Sequence, residues 1–167
     1  MDATALRALQ APLKQKYRDD PGSARITSRA EVTLDTARLA ALLPADAARI
    51  AGLHPAAGGT GTQACSADML LEALVACAAV TLMAVATSMG CGLRGGRISA
   101  EGVWDARGTL GVDKTVPVGL QDISLRFELQ GDLDEATRRR LVELTERYCV
   151  ILATLRAAPT VNVAISA

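Results

Sequence analysis

The chain has 167 residues, half of them hydrophobic, and 18 Lys plus Arg against 18 Asp plus Glu. That length supports one well-buried domain, read as spanning 1–167, and is short for two. The zero net charge leaves no field to gather nucleic acid, and the four aromatic residues, Tyr17, Trp104, Phe127 and Tyr148, are too few for a single-strand stacking platform.

In chain order, "TALRALQAPLKQKY" reads as a short amphipathic helix limited or kinked by Pro12. The N-terminal twenty residues carry acidic groups and a proline where a leader would carry an apolar core, so a cytoplasmic protein is expected. "ARITSRAEVTL" alternates Ile26, Ser28, Ala30, Val32 and Leu34 on one face, as a strand does. The Ala/Leu-rich run after it is compatible with helix or irregular strand, and it gives way to a loop containing "GGTGT".

Ser66 then stands at an N-cap position, and residues 69–86 hold one charge, Glu72, up to the stop signals Gly90 and Gly92. A membrane span is one reading of this stretch. Small residues throughout, Asp68 and Glu72 at one end, and no second comparable segment favour a buried core helix, with no membrane. A helix apolar all round must be surrounded by protein. One small subunit can hardly enclose it, so a homodimer is expected.

"RISAEGVWDARG" and "LQDISLRFELQG" read as a hairpin or meander, the second alternating Ile123, Leu125, Phe127 and Leu129. Asp132 and Glu135 then have capping-box spacing, and Leu141, Leu144, Tyr148 and Leu152 continue as a second long helix with Cys149 in its later half. The "RRR" at 138–140 falls on that helix and reads as a solvated face. "TVNVAIS" alternates Val161, Val163 and Ile165 as a closing strand. The element order is that of an α+β domain.

The four cysteines, Cys65, Cys77, Cys91 and Cys149, lie in a chain read as intracellular, where thiols stay reduced, so no permanent disulfide framework is expected. Zinc-type spacings are absent, and no metal or cofactor is implied. "GGTGT" lacks the Lys-Ser/Thr ending of a phosphate loop and reads as a flexible entry loop or lid. The single histidine, His54, precedes Pro55 and reads as solvated.

"SADMLLEALVACAAVTLMAVATSMG", followed 72 positions after its cysteine by "ERYCVILATL", resembles the OsmC/Ohr superfamily in its OsmC-like branch, as do the order of elements and the "GGTGT" loop. The resemblance implies an OsmC-like fold, with two long central helices packed against antiparallel sheets in an intertwined homodimer. It also implies a thiol peroxidase acting on organic hydroperoxides and hydrogen peroxide, regenerated by an external dithiol. Carried over, Cys77 is the peroxidatic thiol and Cys149 the resolving one.

A thiolate attacks the O–O bond, an alcohol or water leaves, and the sulfenic acid condenses with the second thiol. Burial opposes the thiolate unless a cation or hydrogen-bond donors stabilise it. Family peroxidases place a Glu and an Arg beside the cysteine. The Glu position, ten residues before Cys77, is Ala67 here; Asp68, nine residues before, falls about 180° around a regular helix. Arg38 is the nearest candidate for the Arg by position, and the Pro that usually follows the second cysteine is Val150. The alternative is a non-catalytic OsmC-like protein that binds a small apolar ligand at the dimer interface, its cysteines serving as packing residues. Cys65 and Cys91 are read as incidental.

Overall fold

The computed structural model describes residues 3–36, 40–42 and 51–165. Helix α1, Ala3–Asp19, runs through Pro12 instead of stopping there. It is tied down on both sides of the proline: Gln10 donates to the Ala57 carbonyl at 3.2 Å and the Tyr17 hydroxyl to that of Ala56 at 2.7 Å. Those carbonyls belong to a single 3₁₀ turn, Pro55–Ala57.

The strands β1 (Arg25–Asp35), β2 (Ala40–Leu42), β5 (Gly92–Asp105) and β6 (Gln121–Asp132) form one antiparallel sheet in the order β2-β1-β5-β6. A short parallel pair, β3 (Ala51–Gly52) with β4 (Ala64–Cys65), lies apart from it. The expected hairpin is the β5–β6 pair, with the short helix α3 (Ala106–Thr109) in its connection. Asp105 starts that helix, accepting from the Arg107 backbone at 2.9 Å and from its guanidinium at 2.7 Å.

Helix α2, Ser66–Met89, lies across the sheet. Among the described residues it is the one helix long and apolar enough to cross a membrane, with mean hydropathy 2.3. Here one side of it is core: Leu71, Leu74, Val75, Ala78, Ala79, Leu82 and Met83 are buried against Ile98 and Ala100 of β5. Each large side chain so removed from water is worth about 1.5–3 kcal/mol. The helix stops at Gly90, whose left-handed φ of 62° lets its N–H reach the carbonyls of Ala86 and Thr87.

Four local readings need correction. The N-cap of α2 is Cys65 rather than Ser66, which already has helical geometry; a thiol is a poor acceptor, and no side-chain cap bond forms. Asp134, not Asp132, caps the next helix, α4 (Glu135–Tyr148), accepting from Thr137 N–H at 2.7 Å. Asp132 is still in β6, and Leu133 must first turn into the core. The expected second long helix is two helices, α4 and α5 (Val150–Arg156), broken at Cys149. Residues 161–165 belong to no helix or strand, and they pair with no strand among the described residues.

Candidate active site

Cys77 lies midway along α2, half-buried, at the border between the core side and the opposite side of the helix. Leu70, Ala73, Val80 and Ala84, at helical spacing on either side of it, are exposed. The helix therefore presents an apolar stripe to the outside with a sulfur near its centre.

Cys149 is fully buried and forms the corner between α4 and α5. Its backbone is extended, with φ −71° and ψ 109°. Its N–H closes α4 on the Thr145 carbonyl at 2.8 Å, and its own carbonyl opens α5 by accepting from Ala153 N–H at 2.9 Å. The break creates a fresh helix start, and first-turn N–H groups have no acceptor within their helix. Those of Val150, Ile151 and Leu152 are such groups, and they face the two sulfurs.

The two thiols are within hydrogen-bonding reach of each other, and both are free. Burial pushes the Cys77 thiol up. Donation from Ile151 N–H, the Cys149 thiol, Val150 N–H and the Thr81 hydroxyl outweighs that, so Cys77 sits below the ordinary thiol range. Burial also pushes Cys149 up. The Leu152 N–H opposes the rise, but the neighbouring Cys77 sulfur adds to it, and Cys149 ends above the ordinary range. The pair is thus polarised: Cys77 is the more acidic sulfur, and Cys149, which holds its proton more tightly, donates to it. Among the described residues the leading donors to Cys77 are backbone N–H groups, the Cys149 thiol and the Thr81 hydroxyl, not a guanidinium.

The other expected positions fall elsewhere. Ala67 packs beside the Tyr17–Trp104 cluster, ten residues along α2 from Cys77, or about 15 Å at the helical rise. Asp68, one residue nearer, is also too distant to touch the sulfur. Arg38 lies outside the described residues. Cys65 and Cys91 flank the two ends of α2, roughly 18 and 21 Å of helix from Cys77. Cys91 Sγ sits 3.6 Å from the Ala86 carbonyl. Cys65 lines a separate cavity of about 330 Å³ with His54 and Trp104. His54 is not the solvated side chain expected: its ring meets the Trp104 indole edge-on at 5.3 Å, and its Nδ1 accepts from Ala56 N–H at 3.0 Å.

Sequence reading missed Thr81 and the α5 N–H groups. Thr81 was accessible, since four residues along a helix from Cys77 is one turn. The α5 start carried no proline to announce it.

Comparison with known proteins gives a consistent fold. The family described as OsmC-like protein matches residues 59–164. A solved OsmC-like hydroperoxide resistance protein from Jannaschia sp. CCS1 superposes with TM-score 0.63 at 13% identity, covering 86% of this chain and 95% of that one. No curated protein sequence matches the chain.

Proposed function

Because this chain belongs to the OsmC-like protein family, matched over residues 59–164, we propose that it is a thiol peroxidase reducing organic hydroperoxides through Cys77 and Cys149. The observation that carries the reading is the polarised sulfur pair at the start of α5. The name of the Jannaschia protein, a hydroperoxide resistance protein, points the same way.

The Cys77 thiolate attacks the terminal oxygen of the hydroperoxide. The O–O bond breaks, the alkoxide takes a proton and leaves as an alcohol, and Cys77 becomes a sulfenic acid. Cys149, its proton released, attacks the sulfenic sulfur; hydroxide leaves as water, and a disulfide joins the two residues. Two thiols and one hydroperoxide thereby yield one disulfide, one alcohol and one water. An external dithiol returns both residues to thiols by exchange. The apolar stripe around Cys77 favours an organic hydroperoxide over hydrogen peroxide. The same stripe, with Leu70 39% and Val80 43% exposed, supports a homodimer that covers it and closes the pocket.

A second reading is supported by Ala67 at the family Glu position: a protein that keeps the fold to bind a small apolar ligand, without turnover. Cumene hydroperoxide consumption with a dithiol reductant separates the two. Peroxidase action requires that Cys77→Ser abolish consumption. It also requires that Cys149→Ser turn over once and stall as a dimedone-trappable sulfenic acid at Cys77. Consumption by Cys77→Ser at the wild-type rate would leave the binding reading.

A further inference from the structure

We propose that the cavity at the N-terminal end of α2 is a binding site for a small uncharged molecule, an apolar or aromatic body bearing a single hydroxyl. The site is separate from the sulfur pair and does not depend on the peroxidase reading: Ala67, in its wall, lies about 15 Å of helix from Cys77.

The walls are the ends of elements and the segments between them. β3 with the 3₁₀ turn after it, the start of α2, the end of β5 with α3, and residues 118–120 leading into β6 enclose about 330 Å³, at the lower end of the range for small-molecule sites. These walls are tied down by contacts of their own. Gln10 and Tyr17 of α1 hold the turn by its Ala57 and Ala56 carbonyls, and the Asp105–Arg107 contacts hold α3 at the end of β5. A cavity fixed in this way loses little conformational freedom when it is filled.

The lining sets the chemistry of the occupant. Ala57 and Trp104 are buried, Ala67 and Leu120 are half-buried, and Leu53 and Val118 form an exposed apolar rim. An aromatic or branched apolar body fits that gradient. Among the described residues that line the cavity there is no Asp, Glu, Lys or Arg, so an ionic ligand would leave water without a counter-charge. The polar partners are neutral ones: the hydroxyls of Ser66 and Thr109, and the imidazole of His54. His54 Nδ1 already accepts from Ala56 N–H at 3.0 Å, which places the proton of the neutral ring on Nε2 and makes that atom a donor. Such a set suits one hydroxyl, which both donates and accepts.

Trp104 is the one tryptophan of the chain, so its emission reads the cavity directly. In the full-length protein, benzyl alcohol should change that emission saturably, with half-saturation below about 1 mM. Benzoate and benzylammonium, which carry a charge on the same ring, should bind at least about tenfold more weakly. Gly119 lines the cavity, and a Cβ added there meets nothing within 4 Å. Gly119→Leu should therefore fill the space with the fold retained and weaken benzyl alcohol by at least about tenfold. Val118→Asp, at a position 61% exposed, should weaken it too, and it carries the test if Gly119→Leu fails to fold. A response that rises without saturating, or one that both variants leave unchanged, would overturn the inference, as would equal binding of benzoate. Loss of the response in Cys77→Ser would place the probe at the thiol pair and overturn it as well. Parent-like binding by Cys77→Ser supports the separate site, whatever the hydroperoxide assay returns.

Discussion

Replacing Val150 by proline deletes one N–H from the set that faces the Cys77 sulfur while disturbing little else. Cys149, the preceding residue, already has the extended backbone that a following proline demands. Val150 occupies the first position of α5, where its N–H has no helical acceptor and proline is favoured. Its side chain is 68% exposed, so little packing is lost. The fold should be retained, with about 0.4–1 kcal/mol gained from the stiffer unfolded chain. A hydrogen bond to a charged group contributes about 1.5–3 kcal/mol. Cys77 is only half-buried, and water can take part of the vacated place, so a net loss of about 1 kcal/mol is the better figure. At 1.36 kcal/mol per unit this raises the Cys77 pKa by roughly 0.7.

Below both pKa values the thiolate fraction then falls about fivefold, while each thiolate becomes about twice as nucleophilic, with a Brønsted slope near 0.4–0.5. Initial attack on a small aromatic disulfide, followed in a Cys65→Ser, Cys91→Ser background, should therefore slow by about 2–3-fold on the acid limb. On the alkaline plateau it should quicken by about twofold. Val150→Ala, which keeps the N–H, should track the parent throughout. Superimposable profiles for Val150→Pro and parent, with the fold intact by circular dichroism, would show that this N–H does not stabilise the thiolate.

Thr81→Val removes the hydroxyl donor from the same sulfur and should move the acid limb in the same direction by up to about half a pKa unit, with alkaline reactivity retained. Leu82→Ala empties a fully buried site where α2 meets the sheet and should cost about 2–5 kcal/mol in urea unfolding; a loss under 1 kcal/mol would mean the site collapses around the gap. Asp105 is 5% exposed, and the Arg107 side chain beside it holds its carboxyl below the ordinary carboxylate range despite the opposing effect of burial. Its contribution is therefore present above the unfolded value and lost as pH falls through the lower folded one. Asp105→Asn should destabilise the fold at pH 7 by removing the carboxylate to which the Arg107 side chain and N–H both donate, and the gap to the parent should narrow on acidification; a gap independent of pH would contradict the assignment.

Much of the fold was legible because two periodicities were unmixed. The alternation of Ile123, Leu125, Phe127 and Leu129 dictated β6, and a run with a single charge ending in Gly90 dictated α2. The break at Cys149 was hidden for the opposite reason. Leu141, Leu144, Tyr148 and Leu152 keep a helical spacing straight through it, and Val150 supplies none of the backbone restriction a proline would. Proximity of Cys77 and Cys149 followed from family resemblance rather than from spacing, since 72 residues of separation fix no distance. The pattern in residues 161–165 indicated a face but not a partner: alternation says which side of a strand is apolar, and only a sheet edge says where it goes.

The substitution that hid the break also bears on the chemistry. A proline after the second cysteine gives the corner its shape and withholds one N–H; valine supplies that N–H and leaves the corner to be held by packing. In this chain Leu152 and Cys149 are buried on the α2 side of the corner, so packing is available. The donors around Cys77 are then the Ile151 and Val150 amides, the Thr81 hydroxyl and the Cys149 thiol, of which the thiol alone is a titrating group. With the family carboxylate replaced by Ala67, the leading influences on Cys77 among the described residues include no acidic side chain that could change protonation during turnover. The pH dependence of attack should accordingly belong to the two sulfurs as a coupled pair. The first macroscopic ionisation creates a thiolate on Cys77 that Cys149 still donates to. The second removes that donor. Reactivity governed in this way couples the two thiols before any peroxide arrives: the proton that stabilises the nucleophile is carried by the residue that must later attack its oxidised form.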